Sequence, residues 1–216
     1  MIKKPTVLRF LPALLLATLA ACSTTGTPSP NTLPDIPAPV AVTLDAGTTA
    51  LLILDVNTAV CTPNPLCTAT LPAISSLLAK ARAANVPVMY STTVNPAGPP
   101  PILTEIAPQN GEPTVMARAN KFLGTDLEAL LKKRNIRTVV IVGSAANGAV
   151  MYTAFHASAR GFTVVAAEDG LSSPVAINTV LARYQMLNQP GFLNPQNTPL
   201  ADQKVTLSRT NMITFK

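Results

Sequence analysis

Residues 139–170 read VVIVGSAANGAVMYTAFHASARGFTVVAAEDG and contain two apolar runs separated by a turn and a segment with helical spacing. The first run is Val139–Val142, and the turn Gly143–Asn147 follows it. The helical spacing ends before Gly161, and the second apolar run is Phe162–Ala167. A strand, a tight turn, a helix and a second strand form a βαβ unit, which requires a parallel sheet covered on both faces. The sequence therefore predicts an α/β fold with a three-layer, Rossmann-like parallel sheet.

Ligands of such sheets bind beyond the carboxyl ends of the strands, which directs attention to the turn Gly143–Ala149. This turn has no cysteine, and the single histidine of the chain, His156, gives little support for a Ser–His–Asp arrangement. Another apolar run, Thr49–Val56, lies earlier in the chain and reads TALLILDV. It predicts a central parallel strand with Asp55 at its carboxyl end. Asp55 is either a functional carboxylate or a structural one that accepts N–H groups of the following loop.

The rest of the domain is predicted to consist of helices, strands and one long loop. Apolar residues at helical spacing or in short runs predict three helices, two strands and a proline-rich loop that covers the strand ends. These are helices at Leu71–Ala84, Thr125–Arg134 and from about Ser173 to Met186, strands at Val86–Tyr90 and Lys204–Leu207, and the loop Asn95–Pro113.

The amino terminus has the features of an export signal. Basic residues precede a short apolar core, Leu11–Ala21, so we predict a signal peptide over residues 1–21. The sequence Leu-Ala-Ala-Cys at Leu19–Cys22 resembles the lipobox of bacterial lipoproteins, which implies acylation of Cys22. Ser23 follows, which resembles a signal for the outer membrane. We therefore expect a lipid-anchored protein of the cell envelope, on the outer membrane or the exported face of the cytoplasmic membrane.

Residues 22–47 are rich in Ser, Thr and Pro and predict a semi-extended tether, whereas residues 48–216 are long enough for one folded domain. Loss of the leader lowers the formal net charge from +6 to +3, and the remaining basic residues are scattered. This pattern does not indicate nucleic-acid binding. We expect no cofactor; the expected partners are the membrane and envelope proteins, and association into homo-oligomers is left open.

Two cysteines remain if Cys22 carries lipid, and an exported protein meets oxidising conditions. Cys61 and Cys67 lie in one short loop, so we predict a disulfide between them. Two alternatives stay open: a pair of unpaired, half-buried thiols, or Cys61 acting as a displaced nucleophile near Asp55.

Three ordered landmarks between residues 50 and 169 resemble the isochorismatase-like hydrolases, which include the nicotinamidases. The first is the apolar strand that ends in Asp55. The second is a helix start, Phe122–Glu128, which reads FLGTDLE, and the third is a turn and helix, Gly143–Ala157, which reads GSAANGAVMYTAFHA. The resemblance implies the same α/β fold and a catalytic Asp–Lys–Cys triad at the strand ends.

Of that triad, the register keeps only Asp55. Met116 stands at the lysine position and Ala149 at the cysteine position, so the charge, the donor and the nucleophile are missing there. Arg118 occupies the position of the family's arginine. Lys121 lies five residues past the lysine position, in the lead-in to the helix, and we do not count it as a replacement. The family's metal site requires two histidines, so we predict no metal.

The leading hypothesis is a catalytically degenerate domain that acts as a binding or structural component of the envelope. The alternative is a hydrolase that uses Asp55 with non-standard partners, Arg118 or Lys121. A third hypothesis is ligand binding without turnover, in which backbone N–H groups near Ala145 and Ala149 receive an anion or a carbonyl oxygen.

Overall fold

A computed structural model describes Met1, Thr32 and residues 35–216 of the chain. Apart from Met1, the predicted signal peptide lies outside the described residues, as does the predicted lipidation site Cys22. Among the residues that the structure describes, no helix has the length and apolar composition needed to cross a membrane.

The described part of the chain forms an α/β domain of eight strands and six α-helices. In chain order these are β1 Val42–Leu44, β2 Thr49–Leu54, α1 Thr58–Cys61, α2 Pro65–Thr68, α3 Leu71–Ala83, β3 Val88–Thr92, β4 Thr114–Met116, α4 Leu127–Lys133, β5 Thr138–Ser144, α5 Met151–Ala159, β6 Thr163–Ser172, α6 Ala176–Leu187, β7 Val205–Ser208 and β8 Ile213–Phe215. Six strands form one parallel sheet in the order β4-β3-β2-β5-β6-β7. The predicted fold class is therefore confirmed, with β2 and β5 at the centre and β7 at one edge.

Side chains alternate between the two faces of the sheet along each strand, and helices cover both faces. In β2, Leu52 and Leu54 pack on one face, in the core that also contains residues of α4, α5 and α6. Leu51 and Ile53 point to the opposite face, where α3 supplies its buried residues. The near-continuous apolar composition of β2 follows from this double coverage.

The two central strands approach most closely where Gly143 of β5 pairs with Leu54 of β2. A Cβ atom built on Gly143 would lie 2.1 Å from the carbonyl oxygen of Leu54, and its φ of +139° lies in the region that favours glycine. Glycine is therefore required here for the sheet to close, directly beside the candidate site.

The predicted tether boundary at residue 47 needs correction. Val42–Leu44 forms β1, which pairs in parallel with β8 in a separate two-stranded sheet. Just before it, the N–H of Val40 donates to the carbonyl oxygen of Leu207. The folded domain thus begins before residue 48. The sequence could not reveal this because the partner of this short strand comes from the opposite end of the chain.

Strand β6 is longer than predicted, and β4 was not predicted. β6 continues past Glu168 and Asp169 to Ser172, and the register against β5 shifts between Ile141 and Gly143. This bulge places extra residues on β6, so the acidic pair that suggested a strand end lies within the strand instead.

The disulfide between Cys61 and Cys67 is present, and the Cα atoms are 5.0 Å apart. It links α1 to α2 just after the carboxyl end of β2, and both cysteines are fully buried. The disulfide prediction is confirmed. Both alternatives, the unpaired thiols and a nucleophilic Cys61, are contradicted because the sulfur atoms are bonded to each other.

Candidate functional site at the carboxyl edge of the sheet

Asp55 follows β2 directly and lies at the carboxyl edge of the central sheet. Its φ of +54° is in the left-handed region, which aspartate tolerates better than most residues and which is a frequent property of functional positions. The N–H of Asp55 donates to the carbonyl oxygen of Ser91, and the Ser91 hydroxyl donates to Asp55 Oδ1 over 2.8 Å. The carboxyl group is thus held from the neighbouring strand β3, and only 3% of the residue is exposed.

Lys121 is the cationic partner of Asp55. Its Nζ atom lies 2.7 Å from Asp55 Oδ2, and the lysine side chain is fully buried. The same ammonium donates to the carbonyl oxygen of Ala117 over 2.8 Å and to that of Arg118 over 2.6 Å. An ammonium has three N–H donors, so protein oxygens engage all of them. Lys121 therefore joins the carboxyl edge of β2 to the loop after β4.

The expectation that Asp55 had lost its lysine was wrong. Met116 does stand at the end of β4, but 48% of the residue is exposed, so it does not occupy a buried position. The cation comes from Lys121, which the sequence register did not count as a replacement. A lysine stem is long enough to reach the carboxylate from a different backbone position, and register alone does not measure that reach.

The structure also decides between the other residues considered as partners of Asp55. Arg118, the other candidate cation, is exposed, and its side chain makes no hydrogen bond or ion pair to the described residues, so it is not the partner of Asp55. The alternative in which Asp55 accepts N–H groups of the following loop fails as well: that loop is capped by Asn57, whose Oδ1 accepts the N–H of Val60. Ser91 was missed by the sequence reasoning, although a polar residue within the apolar strand β3 was the available signal.

Burial is the largest influence on the charges of the ion pair. It raises the pKa of Asp55, against the opposing attraction and hydrogen bond of Lys121 and the hydrogen bond from Ser91. Burial likewise lowers the pKa of Lys121, against the attraction of Asp55. Both shifts favour the neutral forms. A carboxyl group with a raised pKa is a better proton donor near neutral pH than an ordinary aspartate.

The turn after β5 lies beside Asp55 because Leu54 and Gly143 are register partners. It begins with a cis peptide bond between Ser144 and Ala145 and continues as a π-helical turn, Ala146–Val150. Ala149 lies in this turn and is 4% exposed. Its methyl group offers no nucleophile, as the sequence predicted from the identity of the residue. The binding role of the N–H groups of Ala145 and Ala149 stays a prediction.

A groove of about 600 Å³ lies next to the ion pair. It is lined by Val94, Met116, Ala117, Arg118, Ala119, Asn120, Leu123, Tyr152 and His156. Ala117 and Arg118, whose carbonyl oxygens hold Lys121, are thus groove residues, whereas neither Asp55 nor Lys121 lines the groove.

The proline-rich loop after β3 packs against the segment that follows β2, as a lid or rim would. The carbonyl oxygen of Pro100 accepts the hydroxyl of Thr92, that of Pro101 accepts the N–H of Thr58, and Ile102 forms a β-bridge with Asn57. The loop thus lies over the end of the sheet that carries Asp55.

His156 is part of the groove and not of a metal centre. Its Nδ1 is 2.9 Å from the carbonyl oxygen of Tyr152, which requires the proton on Nδ1. Within residues 35–216, together with Met1 and Thr32, no group of three or more His, Cys, Asp or Glu side chains is arranged to hold a metal ion.

A family model for the isochorismatase domain matches residues 49–190. The chain is 36% identical over 113 residues to the secreted isochorismatase effector Isc1 of Verticillium dahliae, an alignment that covers 48% of this chain and 60% of that protein. It is 46% identical over 55 residues to the uncharacterized isochorismatase family protein YecD of Escherichia coli O157:H7, covering 26% of this chain and 29% of the relative. The chain thus aligns with less than two thirds of the length of either relative.

Solved structures share the fold at low sequence identity. A cysteine hydrolase from Pseudomonas syringae pv. phaseolicola superposes with a TM-score of 0.68 at 17% identity, covering 81% of this chain and 94% of that one. N-carbamoylsarcosine amidase from Thermoplasma acidophilum superposes with a TM-score of 0.64 at 20% identity, covering 76% of this chain and 97% of the other. At these identities the likeness establishes the α/β architecture alone.

Proposed function

Because the chain belongs to the isochorismatase family, we propose that it is a catalytically degenerate member that binds a ligand or partner in the cell envelope without hydrolysing it. The proposal starts from Ala149, which offers a methyl group where the resemblance implies a cysteine. Thiol-dependent attack on a carbonyl carbon requires a nucleophilic sulfur, and a methyl group cannot replace it.

The state of Lys121 is the observation that carries this proposal. All three donors of its ammonium are used by Asp55, Ala117 and Arg118, so no donor is left to position or polarise a substrate. Both members of the ion pair are buried, and the adjacent groove is lined by neither of them. This arrangement suits a pair that fixes the loop after β4 better than one that meets a reacting atom.

The envelope location rests on the sequence of the amino terminus. The apolar segment before Cys22 and the lipobox-like Leu19–Cys22 support export and acylation, and both lie outside the described residues. Several acyl chains on one cysteine anchor a protein stably, whereas one chain gives only marginal binding. The Ser-, Thr- and Pro-rich residues that follow would hold the domain away from the membrane surface.

The test is a turnover screen of the purified mature protein against amides, esters and vinyl ethers, with Asp55→Asn as the matched control. We expect no turnover above the buffer rate for any class. Turnover that is present in the wild-type protein and abolished in Asp55→Asn would refute the proposal of a catalytically degenerate protein, because it would show that the carboxyl group takes part in a reaction.

A second candidate is an acid-catalysed hydrolase, and the ion pair itself favours it. The resemblance implies that isochorismatases lacking the cysteine protonate a vinyl ether with their aspartate and retain a lysine beside it. Lys121 supplies that lysine from another position, and burial raises the pKa of Asp55 as a proton donor requires. The relative from Verticillium dahliae is named an isochorismatase, which supports including this reaction class in the screen.

The two candidates differ in which substitution matters. In the acid-catalysed case, vinyl ether turnover falls in both Asp55→Asn and Lys121→Met, while amides and esters remain unreacted. In the degenerate case, neither substitution changes a rate, and the effect of both is confined to stability.

A further inference from the structure

We propose that the groove beside the ion pair binds a small organic monoanion, a carboxylate with an alkyl or aromatic body. The assignment deepens the proposed binding function and rests on it. The groove is lined by four large apolar side chains, Val94, Met116, Leu123 and Tyr152, by the two alanines Ala117 and Ala119, and by three polar side chains, Arg118, Asn120 and His156.

The apolar side chains of the groove are exposed to an unusual degree. Val94 is 51%, Met116 48%, Leu123 74% and Tyr152 47% exposed, and all four line the same depression. Single exposed apolar residues are common on protein surfaces, but their concentration around one concave site marks a binding surface. An apolar ligand body placed on these side chains would remove their apolar surface from water, which is favourable for binding.

The charge of the groove selects the head group of the ligand. Arg118 is the one Lys or Arg residue on its wall, its side chain is exposed, and it makes no hydrogen bond or ion pair to the described residues. Among the described residues that line the wall there is no Asp or Glu, so none of them neutralises the guanidinium. A guanidinium binds a carboxylate through two parallel, charge-assisted N–H···O bonds. A hydroxyl can accept only an uncharged, weaker bond in their place, and a quaternary ammonium can accept none.

The position of the groove explains why a bound anion would remain intact. The loop that carries Ala117 and Arg118 lies on the groove wall, and its carbonyl oxygens hold the buried Lys121. Asp55 and Lys121 therefore belong to the protein interior and not to the groove surface. A volume of about 600 Å³ is within the range of small-molecule sites, so the groove has room for an apolar body of moderate size.

The experiment uses 1-anilinonaphthalene-8-sulfonate, an anion with an aromatic body, as a fluorescent reporter that binds the mature protein. Competitors are octanoate, octanol and octyltrimethylammonium, which share the chain and differ in head group, together with butanoate as a short chain. We expect octanoate to displace the reporter at a concentration at least tenfold lower than the other three. Equal displacement by octanoate and octyltrimethylammonium would overturn the assignment of an anion site.

Two groove variants locate the site. Arg118→Gln keeps most of the side-chain length and removes the charge, and Leu123→Ser removes an exposed apolar side chain. We expect each to weaken octanoate binding about tenfold. The matched controls are Arg137→Gln and Leu193→Ser, which make the same changes at exposed positions outside the groove and should change binding less than about twofold.

The outcomes separate this inference from the proposed function. Octanoate binding that is unaffected by both groove variants would refute the groove assignment and leave the non-hydrolytic reading intact. Turnover of any substrate that depends on Asp55 would refute the non-hydrolytic reading, while the dependence of octanoate binding on Arg118 and Leu123 would still assign the groove.

Discussion

Nζ of Lys121 lies 2.7 Å from Oδ2 of Asp55, and this contact joins the carboxyl end of β2 to the loop that follows β4. The same nitrogen binds the carbonyl oxygens of Ala117 and Arg118, so one buried side chain fixes both the carboxylate and the wall of the groove. The ion pair is therefore a structural centre of the site whether or not it takes part in a reaction.

Lys121→Met should destabilise the protein by about 3–5 kcal/mol, because it leaves a buried carboxylate without its cation. Chemical denaturation near neutral pH would measure this loss. The matched control is Lys132→Met, which breaks a solvent-exposed pair with Glu128 and should change the free energy of unfolding little. If Lys121→Met is as stable as the wild-type protein, the proposed pairing is wrong.

The carboxyl group of Asp55 should titrate above its ordinary pKa of 3.8, because burial outweighs the attraction of Lys121. In Lys121→Met the pKa should rise further, since the attraction and the hydrogen bond of Lys121 are lost. Carboxyl carbon chemical shifts measured across the acid range would give both values. An identical pKa in the two proteins would mean that Lys121 does not interact with Asp55.

The same shift has a defined sign for stability. A carboxyl group whose pKa is higher in the folded state than in the unfolded state binds more protons when folded. Its contribution to stability is therefore largest below the unfolded pKa and is lost as pH rises through the folded pKa. In Lys121→Met the deficit relative to the wild-type protein should accordingly shrink in acid, as denaturation midpoints at several pH values would reveal.

Gly143→Ala should destabilise the domain by more than about 3 kcal/mol, because the new Cβ would meet the carbonyl oxygen of Leu54 and force β2 and β5 apart. Gly98→Ala is the control: Gly98 also has a positive φ, +102°, but no atom lies within 4 Å of the added Cβ. Backbone strain alone should make that change cost about 1 kcal/mol. Equal losses of stability in the two variants would contradict the close approach.

Removal of the disulfide in the double variant Cys61→Ala/Cys67→Ala should cost about 2 kcal/mol, the chain-entropy expectation for so short a loop. Denaturation of the oxidised protein and the double variant would measure the difference. Alkylation of the unfolded protein without reductant, followed by peptide mapping, supplies the chemical control. Modification of Cys61 and Cys67 in that experiment would contradict the disulfide.

Cys22→Ser should release the protein from the membrane fraction, because acylation of the cysteine is the proposed anchor. Fractionation of cells into membrane and soluble material, with detection of the chain in each, would measure the change. Ser23→Ala keeps the cysteine and serves as the control. A Cys22→Ser protein that stays with the membranes as firmly as the wild-type protein would rule out the lipid anchor.

Much of the central fold was accessible from apolar patterning. The runs at Thr49–Val56 and Val139–Val142 are buried on both faces of the sheet, so their composition alone predicted strands of a covered parallel sheet. Elements whose stability depends on distant partners were missed or misjudged. β4 is three residues long, and β1 is stable only against β8, so neither has a local signature.

In the candidate site, too, some residues could be predicted from the sequence and others depended on the tertiary structure. Asp55 was predicted because a carboxylate at the end of an apolar strand is visible in sequence, and Ala149 because a residue's identity fixes what its side chain cannot do. Ser91 was missed because its significance depends on strand order, which places β3 beside β2.

By itself, the sequence determined the α/β architecture and the absence of a thiol at Ala149, since these depend on periodicity and side-chain identity. It favoured the disulfide but left two alternatives open, which the structure excluded. Only the tertiary structure decided that Asp55 has a cation. Alignment along the chain assigned its partner position to Met116, but the partner of a buried charge is whichever ammonium reaches it in space, and that is Lys121.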